Sequence, residues 1–258
     1  MTDAPTDHII LEEDKHWWFA TRTKALLGIL DRALPADVAG RRVLDVGCGA
    51  GNMFHHLARY GQVEGLDNNP KPLAVARQRG YKVQEGSASD MPFSAGQFDL
   101  VAALDVIEHV PDDAAVLAEC YRVCRPAGFV IVTTPAFQWL WSQNDEINGH
   151  QRRYSRAGLR ALLERAGFTV RRITYNNFAI FPMAAGLILL RRGAARAPKL
   201  AAPSTDDDAY QVEMEPAPPL LNALLTAVGS VEAWALRYIN VPLGTQLIAL
   251  AQKPAAQA

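Results

Sequence analysis

The sequence predicts an α/β protein built on a parallel sheet, and three observations carry that prediction. Strand-like apolar runs recur at residues 42–46, 62–66, 81–84, 98–103, 129–133 and 169–173, several of them separated by helical stretches or turn signals. The first run leads directly into three closely spaced glycines, Gly47, Gly49 and Gly51. The second run is followed at once by Asp67. A buried strand that opens into glycines lets the backbone approach a nucleoside-bearing cofactor closely, and a carboxylate ending the next strand accepts hydrogen bonds from ribose hydroxyls.

The elements follow in order. Residues 12–34 mix aromatics, aliphatics and Lys/Arg as an amphipathic helix does, and Pro35 and Gly40 close that preface. Residues 73–79 read as a crossover helix and residues 112–124 as a clearer one. Ser155 caps a helix that runs through about Ala166, where Gly167 terminates it. Beyond Asn177 the organisation changes. Residues 178–190 are strongly apolar and are followed by Arg191 and Arg192, whereas residues 195–219 are rich in Ala, Pro and acidic side chains and read as an exposed connection with limited regular structure. Residues 220–239 carry enough Ala and Leu for a helix, Pro242 and Gly244 break it, and residues 245–251 add a final strand. The expected organisation is an N-terminal helical cap (1–40), a core (41–176), an apolar and flexible insertion (177–244), and a final core strand with a tail (245–258).

Composition narrows the classes. A chain of 258 residues that is 49% hydrophobic can fill one sizeable core. With 26 Lys plus Arg against 27 Asp plus Glu, the net charge of −1 gives no global electrostatic case for a nucleic-acid partner. Cys48, Cys120 and Cys124 are too few and too irregular for a disulfide framework, so a reducing, cytoplasmic compartment is expected and Cys120 with Cys124 reads as packing. The N-terminal residues lack the basic-then-apolar order of a signal peptide. Residues 178–190, with Pro182 inside, are too short for a spanning helix. Three readings stand for them: a lid over a substrate cavity, a peripheral contact with the cytoplasmic face of a membrane, or core and oligomer packing. The composition fixes no oligomeric state.

Four stretches, VLDVGCGAG (43–51), VEGLDNN (63–69), FDLVAALDVIEHV (98–110) and CRPAGFVIVTTP (124–135), together resemble the class I S-adenosylmethionine-dependent methyltransferases, in particular their type 11, quinone-pathway-like branch. The resemblance covers about residues 42–175, with 245–251 as the last strand. It implies a Rossmann-like seven-stranded sheet, mostly parallel with a final antiparallel strand, plus an N-terminal helix and a helical insertion before the last strand. It also implies S-adenosyl-L-methionine as donor and S-adenosyl-L-homocysteine as product. Asp45, Gly47, Gly49 and Gly51 then fall near the methionyl part and ribose, and Asp67, with Asn68 beside it, at the ribose hydroxyls. Ser87, Ala88 and Ser89 fall in the adenine-side loop, where the family form GDAxxLPF has Asp in place of Ser87, so a hydroxyl or backbone contact replaces a charged one. The run GCGAG is not GxGxxG and precedes no diphosphate-binding turn, which disfavours a dinucleotide.

The stretch around Asp105, Glu108 and His109 resembles the EMLEHV-like segment of quinone-pathway O-methyltransferases, in which acidic residues and His are connected with divalent metal. If Asp105 starts a helical turn, the three converge at one-turn spacing. Cofactor positioning by Asp105 is the leading reading, ahead of metal coordination and of a hydrogen-bonded cap, and no metal is assigned. His109 and His150 are the candidate general bases for an acceptor hydroxyl. At the N-terminus His16, Trp17, Trp18, Phe19 and Arg22 suggest an entrance to the cofactor cleft, with Trp17 a candidate cover for the acceptor and Arg22 a candidate to hold the cofactor or a substrate carboxylate. A second acceptor wall comprises Trp139, Trp141, Asn144, His150, Arg152, Arg153 and Tyr154: the aromatics shield an apolar acceptor while Arg152 or Arg153 pairs with a phosphate or carboxylate. The expected activity is methyl transfer to a small hydrophobic, amphipathic or lipid-linked acceptor, first at oxygen, with carbon or nitrogen as alternatives. A noncatalytic membrane-associated module on the same fold is the competing class, and no nucleic-acid partner is expected.

Overall fold

Alternation of apolar strands with capped helices lays the chain out as expected. The computed structural model describes residues 12–34, 40–191, 202–203, 212–213 and 217–256. In chain order the elements are α1 (Glu12–Lys15), α2 (Trp17–Ala33), β1 (Arg42–Val46), α3 (Phe54–Leu57), β2 (Gln62–Asp67), α4 (Pro70–Gln78), β3 (Val83–Glu85), β4 (Phe98–Leu104), α5 (Asp113–Val123) and β5 (Cys124–Pro135). Then come α6 (Gln143–Ile147), α7 (Arg156–Arg165), β6 (Thr169–Asn176), α8 (Phe181–Arg191), β7 (Ala202–Pro203), β8 (Val212–Glu213), α9 (Pro219–Ala235) and β9 (Gln246–Gln252).

Seven strands form one sheet in the order β3-β2-β1-β4-β5-β9-β6, and β7 pairs with β8 in a separate two-residue ladder. β3, β2, β1, β4 and β5 run parallel, whereas β9 is antiparallel to both its neighbours, β5 and β6. The central strands are covered on both faces, which is why they read as unbroken apolar runs: Val43, Leu44, Val101, Ala102, Val130 and Ile131 are fully buried. From β1 the chain steps outward to β2 and β3, then returns to place β4 on the other side of β1. This reversal opens a crevice at the carboxyl ends of β1 and β4, where open α/β sheets collect ligands.

The caps follow the sequence closely. Asn69 accepts the Lys71 N–H at the start of α4, with Pro70 in the first helical position. Asp112 accepts from Ala115 at 2.9 Å, and Ser155 from Gly158 at 3.0 Å. One expected element divides. Residues 12–34 form α1 and α2 because the His16 side chain leaves the helix and accepts the Trp18 N–H at 3.2 Å. In the expected insertion α8 starts at Phe181, and α9 packs on α2, where the Asn222 side chain accepts the Trp17 N–H at 2.9 Å. Most of the expected connection at residues 195–219 lies outside the described residues. All three cysteines are free and buried, and burial pushes the Cys124 thiol up to about 12, so both Cys120 and Cys124 pack as neutral thiols.

Candidate active site

The crevice is built from the glycine bend upward. The N–H groups of Gly47 and Cys48 both donate to the Leu66 carbonyl, at 2.7 and 3.0 Å, which ties the bend leaving β1 to β2. Gly47 has φ +68° with the Val106 side chain against its Cα, and Gly51 has φ +81° beneath the ring of Tyr81, so a side chain at either position would be strained and crowded. Asp67 closes the cradle. One carboxylate oxygen accepts the Gly49 N–H at 2.8 Å, and the other accepts the Asn69 N–H at 2.8 Å.

A cavity of about 200 Å³ opens here, walled by Asp45, Gly47 and Gly49 from the sheet side, by Phe19 and Arg22 from α2, and by Asp105 from the end of β4. Asp45 is 3% exposed, and burial raises its pKa to about 7. The Arg22 charge opposes that rise and Asp67 adds to it. Arg22, under the rings of Trp18 and Phe19, pairs with Asp105 at 2.7 Å. Asp105 also accepts Gln246 Nε2 at 2.8 Å and Thr133 Oγ1 at 3.1 Å.

Asp105 does not start a helical turn, which corrects the sequence expectation. Its φ is +56°, and the turn begins one residue later, where His109 N–H donates to the Val106 carbonyl. The backbone therefore sends Asp105 toward Arg22, while Glu108 and His109 converge instead with His150: one ligating atom from each lies within 4.8 Å of the others. Glu108 is fully buried. One of its oxygens accepts from Thr134 at 3.3 Å, and the other has no hydrogen-bond partner among the described residues. Burial first, and the Asp105 charge second, push its pKa well above the ordinary carboxylate value. The rings of His109 and His150 meet edge to face at 4.7 Å. Although His109 reaches solvent, desolvation of its packed part, with His150 beside it, lowers its pKa. His150 Nδ1 lies 2.9 Å from Asp145, a buried carboxylate that also receives two bonds from Arg153, at 2.7 and 2.8 Å. Burial would raise Asp145; the bonds from His150 and Arg153 outweigh it and hold the carboxyl well below its usual range.

The expected acceptor wall divides. Trp139 is exposed and packs near Phe137 and Phe181, and Trp141 is half-buried with its indole N–H 3.5 Å from Glu146. Arg152 pairs with Asp113 at 3.2 Å, Arg153 is held by Asp145, and the buried Tyr154 donates its hydroxyl toward the Ile107 carbonyl and Asp113. These three polar side chains are therefore tied into the fold. Trp17 is half-buried beside His16, outside the cavity wall. Ser87, Ala88 and Ser89, on the loop after β3, and Asn68, on the turn after β2, also lie outside that wall, with the Ser87 and Ser89 hydroxyls 2.8 Å apart. Sequence reasoning missed the wall residues Asp14, Thr23, Asn52 and Met53. On α2 the expected entrance residues Phe19 and Arg22 do line the cavity, and Thr23 shares their helical face.

Comparisons with known proteins agree with this architecture. Residues 44–132 match the family model described as a methyltransferase domain. The chain is 42% identical over 110 residues to the ubiquinone biosynthesis O-methyltransferase of Pseudomonas aeruginosa, a match covering 38% of this chain and 46% of that protein. The enzyme of the same name from Aromatoleum aromaticum is 42% identical over 107 residues, with the same coverage. The chain thus spans less than half the length of these curated relatives. Among solved structures, the YcgJ protein of Bacillus subtilis superposes with a TM-score of 0.57 at 14% identity, covering 91% of this chain and 100% of that one. Phosphoethanolamine N-methyltransferase 2 of Haemonchus contortus superposes with a TM-score of 0.55 at 21% identity, covering 88% and 52%. At those identities the likeness concerns the fold alone. Residues 44–132 thus resemble a methyltransferase domain, and they lie within a seven-stranded, mostly parallel Rossmann-like sheet.

Proposed function

We propose that this chain transfers a methyl group from S-adenosyl-L-methionine to a small hydrophobic or amphipathic acceptor, at oxygen, by in-line single displacement. The observation that carries the proposal is the 2.8 Å bond from the Gly49 N–H to Asp67, which sets the glycine bend and a carboxylate side by side next to the cavity. The residues present suit the donor. Asp45, once ionised, offers a carboxylate to an ammonium, and Asp67 offers acceptor lone pairs to neighbouring hydroxyls. The bound donor supplies an electrophilic methyl on sulfonium sulfur.

Oxygen is favoured because relatives that share 42% identity over part of the core are named O-methyltransferases, and because His150, which stands outside the cavity wall, is oriented by a carboxylate as a general base is. Asp145 accepts the Nδ1 proton of His150 and so leaves the Nε2 lone pair free. In the reaction the acceptor hydroxyl gives its proton to Nε2, its oxygen forms the bond to the methyl carbon, and the carbon–sulfur bond breaks to leave a neutral thioether. His109 is the neighbouring alternative base, and carbon or nitrogen acceptors remain the alternative chemistry. A lipid-linked acceptor and a cytoplasmic setting belong to the same proposal, and the near-neutral charge argues against nucleic acid.

The test pairs calorimetry with turnover. Folded protein is expected to bind S-adenosyl-L-homocysteine, and incubation with methyl-labelled donor and a small-metabolite extract is expected to label an apolar product. Absence of donor and product affinity in folded protein would overturn the proposal; binding without turnover would favour the noncatalytic class.

A further inference from the structure

Among the described residues, the outer side of α9 carries a run of exposed apolar side chains. Leu220, Leu224, Val228, Val231 and Trp234 recur every third or fourth residue and are 86%, 59%, 39%, 68% and 63% exposed, and Tyr238 prolongs the stripe one turn beyond the helix. The opposite side of α9 is occupied by α2: Ala233 is buried, Gly229 lies against Thr21, and Lys24 Nζ reaches Ser230 at 2.8 Å. The stripe is therefore an apolar face left outward by a helix whose inner face is already packed.

Trp234 turns the corner of this face into a cavity of about 290 Å³, which Lys24, Arg59, Ser230 and Arg237 also line. Two of its three cations share one acid, Asp31, at 3.6 Å for Arg59 and 3.3 Å for Arg237. A further cation, Arg32, lies 4.9 Å from the Tyr238 ring centre. The face thus presents an apolar stripe, Trp and Tyr at one end, and a cationic hollow beside them.

We propose that α9 seats the protein on a membrane surface that contains anionic phospholipid, with the stripe at the headgroup–acyl boundary and a lipid phosphate between Lys24, Arg59 and Arg237. Charge complementarity selects this occupant. A second copy meeting the stripe symmetrically would bring the same cations to its own seam, whereas an anionic bilayer supplies apolar depth and negative charge together. No helix among the described residues is long and apolar enough to cross a membrane, so the contact lies along the surface. It uses none of the donor cavity and is independent of the methyl-transfer proposal.

The experiment is co-flotation of the full chain with vesicles of phosphatidylcholine alone or mixed with phosphatidylglycerol, followed also by Trp fluorescence. Wild-type protein is expected to bind the anionic vesicles more tightly and to release with salt. Leu224→Gln with Val231→Gln should weaken that binding about tenfold or more. Lys24→Ala with Arg59→Ala should abolish the preference for anionic lipid. Far-ultraviolet circular dichroism and thermal melting of the same variants check that each is folded, and calorimetry with S-adenosyl-L-homocysteine, run separately, follows the fate of the proposed reaction. Folded wild-type protein that ignores both vesicles, that binds both equally, or that forms a dimer which the Leu224 and Val231 changes dissociate, would overturn the proposal.

Discussion

Arg22 of α2 and Asp105 at the end of β4 form a 2.7 Å ion pair that fastens the N-terminal helices to the carboxyl edge of the sheet across the cavity beside the glycine bend. Arg22 is the more buried partner, with 8% side-chain exposure against 22% for Asp105.

Arg22→Met should leave Asp105 with only its Gln246 and Thr133 donors and cost about 2 kcal/mol of stability, below the range for a fully buried pair. Asp105→Asn should cost more, because it strands the better-buried guanidinium. Urea midpoints of the two variants check the order. Wild-type stability in Arg22→Met would mean that the cap is held by α9 alone.

Asp67→Ala removes the acceptor for the Gly49 and Asn69 N–H groups, and in the proposed reading it also removes the ribose ligand. Affinity for S-adenosyl-L-homocysteine should fall about a hundredfold, and about tenfold in Asp67→Asn, which keeps one acceptor oxygen. Titration calorimetry measures both.

Asp45 carries a folded-state pKa of about 7 against 3.8 in its ordinary setting. Between these values the unfolded chain has released this proton and the folded chain retains it, so this group lowers stability as pH rises from 3.8 to about 7, and the full penalty persists above. Asp45→Asn should therefore gain thermal stability relative to wild type across that window, by about 1 kcal/mol or about 2–4 °C at pH 8. The same change should reduce donor affinity at pH 8 by about tenfold, because a neutral amide cannot pair with an ammonium. A variant with unchanged melting temperature at both ends of the window would contradict the raised pKa.

His150→Gln should lower kcat by about 10²–10³ while the affinity for S-adenosyl-L-homocysteine stays at the wild-type value. His109→Gln should cost less, since no carboxylate orients its ring as Asp145 orients His150. Equal losses in both variants, or a loss that follows donor affinity, would remove His150 from the base role.

Residues buried on both faces made the parallel strands legible, since a run such as Phe98–Leu104 has no polar alternation to confuse its period. The glycine bend was legible because only backbone geometry explains so many glycines at a strand end. The break at His16 was not, because His is an uncommon N-cap and helical periodicity continues across it. Local spacing grouped Asp105 with Glu108 and His109, and a positive φ at Asp105 undid that grouping. Arg153 read as a free cation for a ligand, yet Asp145, eight positions earlier, claims it. The outward face of α9 was hidden for a different reason: Ala and Leu surround the helix, and a helix apolar all round reads as buried.

The last strand is also the keystone. Thr133 and Thr174 both stand beside Ile248, so β5 and β6 become neighbours only through residues made more than 70 positions later than either. During synthesis the nascent sheet carries two naked edges until β9 leaves the ribosome, and a chain stopped short of it keeps them open to strand pairing with other molecules. Truncation before Gln246 should therefore yield aggregation rather than a smaller folded protein, even though every wall residue of the cavity beside the glycine bend lies upstream of the cut.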